Sequence, residues 1–181
     1  MAKGYTSASD LIDGLRQDIL WLLILVYSRR QRMRLPTLRT MSREDFAIEM
    51  VLLESATRDI VSRLTALDDE GKGLRSFQTV LKALRREGMA KAKADPLAAQ
   101  VKAYRQIVNP LKVVHRNAYI AHVIDAVSVT PRIIDAPVDV DSAASAAVNL
   151  LDKLAGKTIG YTFRVGSQEL KINLREALST P

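Results

Sequence analysis

The chain's two histidines, its only side chains that ordinarily titrate near neutral pH, fall in one short stretch, His115-Arg116-Asn117-Ala118-Tyr119-Ile120-Ala121-His122, with an arginine between them. A guanidinium is a permanently charged fork that grips phosphate oxygens in pairs, and an imidazole gives or takes a proton at the working pH. The pairing therefore suits proton transfer beside a phosphate. On a helix His115, Tyr119 and His122 share one stripe (i, i+4, i+7), while Val113, Ile120 and Ile124 lie opposite. The polar stripe is expected to face a cleft, an interface or solvent.

Other chemistries are poorly served. The chain has no cysteine, which removes disulfides, thiolate metal ligands and thiol nucleophiles, and fits a reducing compartment. A zinc site would need both histidines plus carboxylates, and residues 96–124 contain none. No phosphate-binding glycine loop, dinucleotide fingerprint or nucleophile elbow is present. No metal and no cofactor are expected.

Charge gives the segment a context. Lys and Arg number 27 against 20 Asp and Glu, a net of +7, and the excess is local. Residues 19–43 and 96–124 hold ten of the basic residues and no acidic one, so the remainder is net −3. These windows read as two uncompensated positive segments able to meet an anionic partner such as a phosphate backbone. Their candidate nucleic-acid contacts are Arg29, Arg30, Arg32 and Arg34 in the first, and Lys102, Arg105 and Lys112 in the second.

The elements that must position these residues can be read from spacing. With 181 residues, 48% of them hydrophobic and 26% charged, the chain is long enough for a single globular domain. A first helix is expected from about Ser9 to Met33, stopped before Pro36. Its apolar run at 19–27 is far too short to span a bilayer, which needs about 20 residues. Acidic residues at 10, 13 and 18 before it and SRRQRMR after it do not suit a signal peptide. The reading is a cytoplasmic protein with no membrane partner, the run being either a central core helix or part of a subunit interface.

Ser42 with Asp45 resembles an acidic capping box, opening a helix to about Leu67 with Phe46, Met50, Leu53, Ile60 and Leu64 on its apolar face. DDEGKG at 68–73 is a loop, Ser76 caps a short helix to Arg86, and GMAKAKA is expected to be a weakly structured connection. Asp95-Pro96 then starts a helix that Pro110 kinks or restarts, with 112–125 helical. A further helix, capped by Asp141 or Ser142, ends at Gly156, and alternating apolar residues at 159–165 and 170–174 around Gly166-Ser167 form a β-hairpin. The predicted fold is mainly α, a helical bundle with a small C-terminal β-hairpin, with residues 9–126 as the helical core and 127–181 adding the last helix and hairpin.

The segment Arg116-Asn117-x3-Ala121-His122 resembles the R-x(4–6)-H motif of HEPN domains, closest in pattern to their abortive-infection branch. Arg63-Leu64, followed by a glycine-containing loop and Ser76, is similar to the order of that family, and the resemblance covers roughly 18–125. It implies a metal-independent endoribonuclease of toxin or phage-defence type. Arg116 would hold the scissile phosphate, His122 would act as general acid or base on the 2′-OH or leaving oxygen, and Asn117 would orient substrate or histidine. His115 and Tyr119 are secondary candidates on geometric grounds. Six residues apart, Arg116 and His122 lie about 240° around and ~9 Å along a helix, so they do not converge within one copy. The resemblance accordingly implies a homodimer whose motifs share a cleft, RNA as substrate, and a nucleotidyltransferase-type antitoxin as partner. The alternative reading is a non-catalytic nucleic-acid- or nucleotide-binding helical protein regulated by a partner.

Overall fold

Five helix termini are fixed by local chemistry. Ser7 accepts the Asp10 N–H at 3.1 Å while the Asp10 carboxylate accepts the Ser7 N–H, a full capping box that opens α1, Ala8–Met33. Ser42 accepts the Asp45 N–H at 3.0 Å and opens α2, Arg43–Ala66, but the Asp45 carboxylate returns to the Ser42 hydroxyl rather than to its backbone N–H. Ser76 and Thr79 cap α3, Phe77–Arg86. Asp139 accepts the Ser142 N–H and opens α5, Val140–Ala155, two residues earlier than its sequence suggests, because Val140 is a fully buried core residue. Gly156, with φ +66°, closes α5 in the left-handed conformation that glycine adopts without steric cost.

The computed structural model describes residues 7–71, 74–113, 139–166 and 168–179. A short 3₁₀ turn, Pro36–Arg39, joins α1 to α2. Strands β1, Thr162–Val165, and β2, Gln168–Asn173, pair antiparallel with Phe163 opposite Ile172 and an irregularity in register between Phe163 and Val165. A last short helix, α6, Leu174–Ser179, follows. The molecule is thus mainly helical with one small two-stranded sheet near its C-terminus, as the spacing predicts.

The fourth helix departs from expectation. α4 runs Lys91–Pro110 and contains both Pro96 and Pro110, so Asp95-Pro96 does not start it, and the supposed connection is its first turn. Lysine and alanine are among the strongest helix formers, and Ala94 is buried, which anchors that turn. Pro96 then removes only one hydrogen bond, the one its missing N–H would have given to Ala92. At the far end Pro110 does not restart the helix under an Asn109 cap. Residues 111–113 continue as a wider π-type turn.

One hydrophobic core draws on all six helices. Ile19, Leu22, Leu23 and Val26 of α1 are buried, so the apolar run is a core helix, packed against α2, α3 and α5. α5, outside the stretch that the family resemblance covers, supplies Ala144, Ala147, Val148 and Leu151 to the same core. Phe77 meets Tyr104 edge to face at 4.9 Å, and the Tyr104 hydroxyl donates to the Leu64 carbonyl at 2.8 Å, tying α4 to α2 and α3. No helix among the described residues is long and apolar enough to cross a membrane.

Candidate functional site

His115, Arg116, Asn117, Tyr119 and His122 lie outside the described residues. What the structure gives is the platform that leads into them and the fate of the surrounding charges. α4 delivers the chain to residue 113 with Val101, Tyr104, Val108 and Leu111 buried, so the approach to the motif is held by the core. Two cations on its outer side are held from the loop after α2. Arg105 donates to Asp68 at 3.0 and 3.1 Å and also binds Glu70, while Lys112 donates to Asp69 at 2.9 Å. Burial pushes the Asp68 carboxyl above its ordinary range, and the hydrogen bonds from Arg105 pull the other way.

The positive segment at the end of α1 is engaged in the same manner. Arg29 is buried and donates through Nε to Thr57 at 3.0 Å. Burial lowers its pKa from the usual guanidinium value, with Asp141 opposing. Arg30 donates to the Ala177 carbonyl at 2.6 Å and to the Leu178 carbonyl at 3.3 Å, and pairs with Asp141 at 3.0 Å. These last carbonyls of α6 are the partial negative end of a helix, a natural seat for a guanidinium. Arg32 grips the buried Glu49 carboxylate through Nε and Nη2, and those hydrogen bonds hold Glu49 below the ordinary carboxylate range.

The two segments are therefore acid-free in sequence but not uncompensated in space. Carboxylates from α2, α5 and the 68–70 loop occupy Arg30, Arg32, Arg105 and Lys112, and a hydroxyl occupies Arg29. Of the candidate nucleic-acid contacts, Arg34 and Lys102 are exposed and form no ion pair among the described residues. Arg39 and Arg43, which continue the first segment, are exposed on the same terms. The missed signal was the Asp68-Asp69-Glu70 run: three adjacent acids next to a helix end are a ready counter-charge for a basic helix in the same core.

Arg63, part of the upstream pattern, pairs with Asp59 at 3.0 Å and lies over the Trp21 ring at 5.9 Å. Beside it Arg75 makes a paired contact to Asp18 at 2.9 and 3.0 Å across α1. Gly14 makes room for this, since a Cβ there would sit 2.5 Å from the Arg75 Cδ. Between these groups is a cleft of about 340 Å³ floored by Leu22, Ala66, Leu67 and Leu74. A larger one, about 640 Å³, lies where the start of α1 meets the ends of α3 and α5, with Asp13, Arg16, Glu87 and Lys157 on its walls. Among the described residues no group of three His, Cys, Asp or Glu side chains is placed to hold a metal. Comparison with protein-family models, with curated proteins and with solved structures gives no match for this chain.

Proposed function

We propose that the chain is a metal-independent endoribonuclease of the HEPN toxin type, with Arg116 on the scissile phosphate, His122 as general acid or base, and Asn117 orienting them in a cleft shared by two copies. The observation that carries this reading is the segment Arg116-Asn117-x3-Ala121-His122, placed after a core-anchored helix of a mainly helical chain. The attack of a ribose 2′-OH on the adjacent phosphorus breaks the bond to the 5′-oxygen of the next nucleotide and leaves a 2′,3′-cyclic phosphate. An acid or base poised near neutrality contributes roughly 10²–10⁴ to such a step, and a positioned guanidinium stabilises the charge that builds on the phosphoryl oxygens.

The second reading, a non-catalytic binder of nucleic acid or nucleotide, draws support from the arginines of α1. Most are engaged within the protein, which leaves Arg34, Arg39, Arg43 and Lys102 as exposed cations for a phosphate backbone. One experiment separates the two. Purified protein is incubated with tRNA or total RNA in EDTA, and products ending in 2′,3′-cyclic phosphate are sought. The ribonuclease reading expects cleavage that His122→Ala and Arg116→Ala each reduce by at least about a hundredfold. Binding without cleavage, weakened modestly by Arg116→Ala with a flatter salt dependence, would favour the binder. Cleavage that persists in His122→Ala would remove the proposed mechanism.

A further inference from the structure

The first half of α2 is built the wrong way round for a helix that meets water. Its core-side residues include Glu49, Glu54 and Thr57, all buried, which bond to Arg32, Arg58 and Arg29. On the opposite side, Ile48, Val51 and Leu52 are 60%, 53% and 49% exposed. At 100° per residue these three and Ser55 fall on one arc, centred away from Leu53, Ile60 and Leu64. Of the ten large apolar side chains that stand exposed among the described residues, six fall at positions 33–52, adding Met33, Leu35 and Phe46 around the tip of the α1–α2 hairpin.

We infer that this outward face of α2 is the interface with a second copy of the chain, the two helices packed antiparallel about a two-fold axis near Val51 and Leu52. The six side chains leave roughly 500 Å² of surface exposed, which is the apolar share of a standard interface of about 800 Å² per partner. The outward arc carries no charge between Asp45 and Arg58, so its centre can be desolvated without stranding an ion. Those two charges sit 6.5 positions on either side of the centre at 51.5, and a two-fold antiparallel pair places each Asp45 beside the other copy's Arg58. A parallel pair would instead bring two acidic first turns together, Glu44 and Asp45 of each copy. The apolar run of α1 is not available for this purpose, because the core consumes it. The inference rests on the α2 face alone and holds whether or not the chain cuts RNA.

Light scattering on the purified, RNA-free protein at micromolar concentration tests it. A mass of twice 20.1 kDa is expected. Ile48→Asp combined with Leu52→Asp should raise the dimer dissociation constant at least about a hundredfold while far-UV circular dichroism is unchanged, since both positions are exposed in the single copy. The chain has no cysteine, so Val51→Cys gives a clean second readout that does not depend on that variant folding. Oxidation should cross-link Val51→Cys into a covalent dimer and leave Glu44→Cys monomeric. A monomeric wild type overturns the inference, as does a dimer that the double substitution leaves intact or a cross-link at 44 as efficient as at 51. A dimer that never cleaves RNA would retire the ribonuclease reading and leave this one standing.

Discussion

The two halves of α2 are opposites. Its second half follows the ordinary rule for a bundle helix, with Ile60, Val61 and Leu64 buried against α1 and α5 and charged residues such as Arg63 outside. Its first half buries Glu49 and Glu54 and exposes Ile48, Val51 and Leu52. The difference follows from what each half faces. The second half meets the apolar middle of α1, whereas the first meets the arginine-rich end of the same helix, so its inner positions must supply carboxylate and hydroxyl oxygens. Once those positions are polar, the apolar residues of that half have only the outer face left. Polar groups hold the hairpin to itself, and apolar groups hold the body together.

The contrast sets the order of expected effects. Leu151→Ala, in the middle of the body, should cost about 2–5 kcal/mol of stability in urea denaturation, whereas Ile48→Ala should change the stability of the single copy by less than about 0.5 kcal/mol. An equal loss at both positions would erase the distinction. In the hairpin, Arg32→Met should cost about 1–3 kcal/mol because it leaves the buried Glu49 carboxylate without its donor. Adding Glu49→Met should recover most of that loss, since a polar pair replaced by apolar groups of similar volume is often close to neutral. A double variant as unstable as the single would mean that the pair is indispensable to the hairpin.

Acid titration separates the two charge clusters by sign. Glu49 is held below the ordinary carboxylate range, so its contribution is present above its unfolded pKa and is lost as pH falls through the folded value. Asp68 is shifted upward by burial, so the folded state keeps its proton more firmly and its contribution improves on acidification. Stability followed from neutral pH into the acid range should therefore fall less steeply in Glu49→Gln and more steeply in Asp68→Asn than in the wild type. The smallest effect concerns Gly14. Gly14→Ala gains helix propensity of up to about 1 kcal/mol but displaces Arg75 from Asp18, an exposed pair worth ~0–1 kcal/mol, so the net change should be near zero. In an Arg75→Ala background the same substitution should stabilise outright, which calorimetry can resolve.

Much of this architecture was legible in the residues. Caps with a mechanism were read well, Ser42, Ser76 and Gly156 among them, because the bond that makes the cap is local. The hairpin was legible for the same reason, its period and turn being contained in a dozen residues. Errors arose where a local signal met a competing preference. Asp95-Pro96 is a strong start signal, and the Lys-Ala run before it is a stronger helix former with a buried Ala94 to fix it. The short α6 has too few residues to show a period, and its last carbonyls are capped by an arginine about 150 residues away. Charge was legible as composition but not as environment. Nothing near Arg105 in sequence announces Asp68, and Phe46 and Leu53 satisfy the same periodic pattern although Leu53 is buried and Phe46 is exposed at the tip.

The clasp of Arg30 on the Ala177 and Leu178 carbonyls also bears on how the chain is made. α1 is synthesised early, yet its packing partner α5 and the acceptors of Arg30 come more than a hundred residues later. At translation rates of roughly 5–20 residues per second, the helix at the centre of the core waits on the order of ten seconds for them. During that interval its longest apolar run is uncovered and its arginines lack these acceptors. Folding of the finished core should accordingly be slower than is usual for a helical bundle, whose contacts are mostly between sequence neighbours. A nascent chain halted before residue 174 should be open to chaperones and proteases at α1 rather than at the unfinished end.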